Sequence, residues 1–231
     1  MRFLKYIILL LILQGCSSNY NMGWDIINPS NIDGLTNLQF LISGFNTTIY
    51  ISVISIFFSM LIGLIVALPS LATNKILSSF NIVYVEIVRA IPLLVLILWI
   101  YYGLPIMLGI SFSPFVSGII ALAISDSAFQ AEIFRAGINS IHKGQHEASS
   151  SLGLDFWKKM RFIILPQAVK TILPALGNQF VYVLKMSSLV SIIGIGDLTR
   201  KANELVVTTY RPLEIYTFLI LEYLILILIV S

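Results

Sequence analysis

Apolar residues fall along this chain in long uninterrupted blocks, separated by short polar stretches. Five blocks stand out, at 49–72, 82–102, 114–136, 166–184 and 213–230. Each is close to the roughly 20 residues that a helix needs to cross a bilayer. Spans of a membrane β-barrel would be about 10 residues with strict in–out alternation, and no such alternation is present. The blocks contain many Gly, Pro and Ser residues, which membrane helices tolerate. The pattern predicts an all-α integral membrane protein with about five transmembrane helices. Composition strengthens that reading: 58% of residues are hydrophobic and 11% charged, against about 25% charged in a soluble domain.

The first 16 residues form a different kind of segment. Arg2 and Lys5 give a positive start, residues 6–13 are apolar but too short to span, and Leu13-Gln14-Gly15-Cys16 follows. Leu-x-Gly-Cys resembles a lipoprotein signal box, in which Cys16 is lipidated and becomes the new N-terminus. The other reading is an uncleaved signal anchor with an incidental cysteine. Cys16 is the single cysteine, so no intramolecular disulfide can form. Residues 17–40 are largely polar and are expected outside the cell membrane, in the periplasm.

Charge sets the orientation. Lys143, Lys158, Lys159 and Arg161 cluster between the third and fourth blocks, with Lys170 at the start of the fourth. The positive-inside rule puts that loop in the cytoplasm. Lys75 and Arg89 then also fall at cytoplasmic ends, whereas Arg200, Lys201 and Arg211 fall on or near the outer side. The basic residues cluster by loop and not along one helix face, so the net charge of +3 does not point to nucleic acid.

The cytoplasmic segment has internal order. Residues 145–152 read as a short helix with Glu147 near its positive end. Gly153 supplies the left-handed residue that ends it. Asp155 can cap a following interfacial helix at 156–165, and Pro166 opens the fourth span. Glu147-Ala148-Ser149, three further residues, Gly153, nine residues, then Ile163-Ile164-Leu165-Pro166 resembles the EAA loop of bacterial ABC importer permeases, with Ser149 as the one departure. The resemblance implies a coupling loop, residues 142–165, that docks on a separate ATPase through Glu147, Ala148, Gly153, Ile163, Leu165 and Pro166. No Gly-x-x-x-x-Gly-Lys-Ser/Thr stretch occurs, so this chain lacks the usual phosphate loop. ATP and Mg are expected on the partner, with no metal or cofactor on this chain.

Further motifs extend the resemblance over residues 41–231. Glu86-x-x-Arg89-x-x-Pro92, Ala131-Glu132-Ile133-Phe134-Arg135-x-Gly137, Leu176-Gly177-Asn178-Gln179-Phe180 and Ser188-Leu189-Val190-Ser191 look like the polar amino acid permeases, the histidine/glutamine branch. That implies ABC type I importer architecture, a permease dimer (a second copy or a paralogue), an ATPase subunit and a periplasmic solute-binding protein. It also implies residence in the bacterial inner membrane and an amino acid substrate. His142 in place of Pro, Met186-Ser187 in place of Asp-Thr, Asp126 in place of Asn or another small polar residue, and Glu222 in place of an apolar residue depart from the family pattern. The chain ends at Ser231, directly after an apolar run, where family members continue into a short basic tail; a C-terminal truncation is therefore expected.

Ionisable residues inside spans are costly and are functional or paired by default. Glu86 with Arg89, and Glu132 with Arg135, are three apart and are expected to form structural ion pairs. Asp126, with Gln130 one turn on, lies mid-span; Lys185 closes the fourth span, before a Gly- and Ser-bearing stretch at 187–195 that reads as a broken helix or gate. Asp126, Gln130, Lys185 and Ser188 therefore form a candidate substrate path. Asp126 and Lys185 either receive the charged ends of an amino acid or pair with each other. Glu222 reads as a cavity wall or a local pair. Two other functions compete: a non-transporting or truncated membrane subunit, and an intramembrane protease. For the protease, His142 and His146 are four apart as in a zinc site, but Lys143 stands where that motif needs its Glu base, and no catalytic residue is assigned.

Overall fold

The computed structural model describes residues 20–71 and 75–230, and every element among them is helical. The segment 1–16, with Cys16, lies outside the described residues. The helices are α1 (Ile32–Ile42), α2 (Gly44–Ala67), α3 (Lys75–Ala90), α4 (Leu93–Leu98), α5 (Leu104–Leu108), α6 (Pro114–Asn139), α7 (Lys143–Ser151), α8 (Phe156–Lys159), α9 (Leu165–Met186), α10 (Leu198–Thr209) and α11 (Pro212–Val230). Among the described residues, four stretches are long and apolar enough to cross a membrane: Ile32–Ser70, Pro114–Asn139, Phe156–Ile193 and Pro212–Val230. A fifth is the bent pair Ser79–Ala90 and Leu93–Leu108, which meet at 91°.

That bend corrects the straight span expected over 82–102. Pro92 is extended (ψ 131) and stands as the N-cap of α4. It has no N–H to give, and its ring disfavours helical geometry at Ile91. Two later prolines cause milder adjustments. Trp99–Gly103 and Met160–Ile164 are π-turns, and each runs into a helix with a proline in its first turn, Pro105 and Pro166. The Leu104 N–H reaches Trp99 O, and the Leu165 N–H reaches Met160 O. Widening the turn lets the chain pass a residue that cannot donate to its i−4 carbonyl. The interfacial helix and the fourth span are thus one continuous element, with a π-turn where a boundary at Pro166 is expected.

The core is organised around α6, which packs most extensively on α2 and also on α3 and α9. Small residues permit this. A Cβ on Gly63 of α2 would lie 2.5 Å from Gln130 Cβ of α6, so only glycine allows the two helices to come this close. Ile51, Ile97, Ile100, Ala121, Leu122 and Val190 form the main apolar cluster.

On the other side of α10, the start of the described chain is tied to α11. The fully buried Glu214 carboxylate accepts from the Tyr20 hydroxyl and from the Gly23 N–H (2.6 Å), and pairs with Arg211 at 3.6 Å. Arg211 in turn donates to the Asn21 carbonyl. Removing a buried carboxylate leaves such donors unmatched at a cost of about 3–5 kcal/mol. Glu214→Ala is therefore expected to release residues 20–28; backbone hydrogen exchange there should accelerate while exchange in α6 stays slow.

Candidate coupling loop and substrate path

The loop after α6 is built from local bonds. The His142 imidazole Nδ1 accepts from the Gly144 N–H at 3.1 Å and caps α7; this is what a histidine does where proline is the family habit. Ser149 is buried, and its hydroxyl donates to the His146 carbonyl at 2.8 Å, so serine fits the site of the expected alanine. The helix ends as a Schellman motif: Gly153 N–H to Ser150 O at 3.0 Å, and Leu154 N–H to Ser149 O at 3.2 Å. Gly153 has φ +73 and nothing within 4 Å of where a Cβ would stand. Asp155 then caps α8, accepting from the Lys158 N–H at 2.8 Å.

Two ties hold this unit to the spans. Gln167 of α9 donates to the Ile163 carbonyl at 2.8 Å and contacts Gln145 of α7 at 3.4 Å. Ile164 is fully buried against Ile138, Ala168 and Ile172. Glu147, Ala148 and Pro166 are exposed, Leu165 is partly exposed, and Ile163 is half-buried. Sequence reasoning missed Leu152, which is 76% exposed directly after α7; Trp157, an interfacial residue by its sequence context, is 77% exposed on α8. An apolar residue directly before the terminating glycine, on an otherwise polar helix, was the available signal.

Within the membrane region, Asp126 is 3% exposed and is surrounded by neutral donors. Ser59 donates at 2.5 Å, Gln130 at 3.0 Å, and Gln179 of α9 completes the set. The network joins α2, α6 and α9. Next to it the Tyr84 and Ser127 hydroxyls meet at 2.7 Å and bring in α3. The structure does not bring Asp126 and Lys185 together: Lys185 is exposed and no ion pair joins them. The reading in which they pair is thereby corrected; Gln179 occupies the place on Asp126 that a lysine would take. Ser188 donates to the Lys185 carbonyl at 2.8 Å. It belongs to a 3-10 turn, Ser187–Ile193, which ends at Gly194 with φ +87. The helix does break there, and Asp197 caps α10.

The two expected ion pairs differ. Glu132 and Arg135 pair through two contacts, 2.7 and 3.0 Å. Glu86 and Arg89 do not pair. Arg89 instead lies 4.4 Å above the Phe129 ring, and Glu86 points to the exterior. The guanidinium prefers an aromatic face on the neighbouring helix to a carboxylate on its own. Phe129 in turn meets Tyr182 at 5.8 Å. On α9, Asn178, Tyr182 and Lys185 share the exposed face, so the Arg89–Phe129–Tyr182 contact adjoins a polar stripe.

Glu222 is neither a cavity wall nor half of a pair. It is 3% exposed and both carboxylate oxygens lack a partner among the described residues. A buried polar group without a bond costs about 1–3 kcal/mol. Glu222→Leu should therefore raise the thermal unfolding midpoint of the purified protein; a fall would show that the carboxylate has a stabilising role.

The chain matches the family model described as "Binding-protein-dependent transport system inner membrane component" over residues 59–231. The chain belongs to this family. The match covers all of residues 142–165 and every intramembrane polar group named above. Among curated relatives, the glutamine transport system permease protein GlnP of Escherichia coli (strain K12) is 35% identical over 209 residues, covering 90% of this chain and 92% of the relative. The arginine transport system permease protein ArtQ of Bacillus subtilis (strain 168) is 34% identical, covering 85% and 90%. A solved structure, "Crystal structure of an amino acid ABC transporter with histidines", superposes with a TM-score of 0.83 at 37% identity, covering 92% of this chain and 95% of that one. The protein is thus a multi-pass transport permease subunit with the ABC importer permease fold. It is not an enzyme, and ATP hydrolysis belongs to a separate component.

Proposed function

We propose that this permease forms the translocation path of an ATP-driven importer for polar amino acids, and that residues 142–165 couple it to a partner ATPase. The observation that carries the reading is the coupling unit itself: a capped helix, a Schellman turn and a second capped helix, bonded to α9 and presenting Glu147, Ala148 and Leu152 outward. Such a unit moves as one body, so a displacement of an ATPase groove reaches α6 and α9. ATP and Mg reside on that ATPase. A periplasmic binding protein delivers the substrate, and a second permease completes the path.

The substrate class follows from the relatives named for glutamine and arginine and from the polar groups inside the membrane. An amino acid carries an ammonium and a carboxylate. Asp126 is an acid held by neutral donors alone, so no basic residue bonded to it competes with an ammonium. Lys185 lacks a carboxylate partner among the described residues and can receive a carboxylate, whereas Arg89 already feels the Glu132 carboxylate. Gln130 and Ser188 complete the path. Orientation follows from charge: the coupling loop faces the cytoplasm and residues 17–40 face out. The basic residues on the outer side fit this arrangement because each is neutralised or shielded. Arg200 pairs with Glu204 at 2.6 Å, Arg211 pairs with Glu214, and Lys201 lies 4.3 Å above the Phe40 ring.

Co-purification tests the coupling role. The tagged permease should retain its ATPase partner, and Leu152→Asp combined with Glu147→Arg should release it. Undiminished retention in that double variant would contradict the assignment.

A further inference from the structure

A cavity of about 230 Å³ lies between the coupling unit and the ends of the spans. It is lined by Ser70 at the end of the first span, Asn139 at the end of α6, His146 of α7 and Lys159 of α8, above an apolar floor that includes Phe156 and Met160. No carboxylate lines it. Lys159 has no acidic partner among the described residues; its ammonium donates to the Ser150 hydroxyl at 3.1 Å and keeps two more N–H groups. Neighbouring Lys158 differs, being paired with Asp155 at 3.8 Å. His146 and Asn139 add side-chain nitrogen donors, while the Ser70 hydroxyl is already given to the Ala67 carbonyl at 2.6 Å. A half-buried cation ringed by donors, with no anion supplied by the chain, is an incomplete site.

The geometry points to a phosphate-binding site in this cavity, with Lys159 supplying the charge and His146 and Asn139 the directional bonds. The chemistry is that of a phosphate oxyanion, carried either by an anionic phospholipid headgroup or by free inorganic phosphate. The apolar floor suits the glycerol and first methylenes of a lipid. Phe156 and Trp157, both exposed and packed edge to face at 5.6 Å, put the opening among residues that sit at a bilayer interface. Basic pockets between helices on the cytoplasmic side bind lipid headgroups in this way. An occupant would bridge the first span, α6, α7 and α8, and so would hold the coupling unit against the spans.

The test uses the permease–ATPase complex in two arms. In the first, the complex is extracted from vesicles of phosphatidylcholine with phosphatidylglycerol, and retained phosphatidylglycerol is counted by mass spectrometry. Lys159→Ala should retain about fivefold less, the equivalent of about 1 kcal/mol per basic residue at an anionic surface. Lys159→Arg should restore retention, and Lys158→Ala should leave it unchanged. In the second, lipid-stripped complex is titrated with inorganic phosphate against chloride. A phosphate-specific rise in thermal midpoint that Lys159→Ala abolishes assigns free phosphate to the site. Lipid loss on Lys159→Ala assigns the headgroup. Equal lipid retention in all variants, together with no phosphate-specific shift, would overturn the proposal. Because binding is read directly, failure here leaves the transport reading standing.

Discussion

Valine at position 153 should uncouple this permease from ATP. Gly153 ends the coupling helix at φ +73, where a side chain with a branched Cβ is a severe outlier. Nothing lies within 4 Å of the Cβ position, so the penalty comes from the backbone and not from a clash. Holding a non-glycine residue there costs of order 1–3 kcal/mol. The chain can escape by giving up the two bonds to Ser149 and Ser150, which re-aims Asp155 and α8. A graded series follows from this cause. Asparagine, which visits the left-handed region most readily, should keep most of the ATP-driven uptake; aspartate and alanine should lose more, and valine should fall by more than about tenfold. Protein yield and the thermal midpoint of the membrane region should change little. Equal uptake across the series would show that the turn does not transmit motion.

The second large effect is expected at Asp126. Its carboxylate accepts from Ser59, Gln130 and Gln179 and so holds three helices together. Asp126→Leu strands those donors in the interior, at about 1–3 kcal/mol for each that finds no other acceptor, and should lower both yield and thermal midpoint. Asp126→Asn keeps an acceptor oxygen and nearly the same shape. Its new amide N–H faces Gln179, whose own amide can turn to present its oxygen, so the variant should fold and its transport then reports chiefly on charge. If the acid receives an ammonium, Asp126→Asn should reduce uptake of cationic amino acids at least about tenfold, the scale of a lost charge-assisted hydrogen bond. Asp126→Asn transport at the wild-type rate, with Asp126→Leu still destabilised, would make Asp126 purely structural.

What was legible in the sequence was local. The coupling loop could be read because its parts lie within a few residues of each other: Gly153 needs only its own φ, and Asp155 needs only the N–H of Lys158. The block lengths likewise revealed the spans. The break at Ile91–Pro92 was legible in principle, since a proline interrupts the block, but a hydropathy window averages over it. Arg89 shows a different limit. Its spacing to Glu86 fits an ion pair, yet its partner is Phe129, 40 residues on and presented by another helix. The same holds for Asp126, whose donors Ser59 and Gln179 lie 67 and 53 residues away in sequence. Periodicity places a residue on a face; it does not say which helix that face will meet.

The proposed activity is inward movement of amino acids on energy taken from a partner's ATP. It is tested most directly by ATP-driven uptake of labelled cationic and neutral polar amino acids into vesicles carrying the permease, its ATPase and its binding protein. Saturable uptake of at least one of these classes is expected, dependent on ATP and on the binding protein, and lost in Gly153→Val. An assembled complex that binds ATP but accumulates no amino acid, or accumulates it equally without ATP, would contradict it.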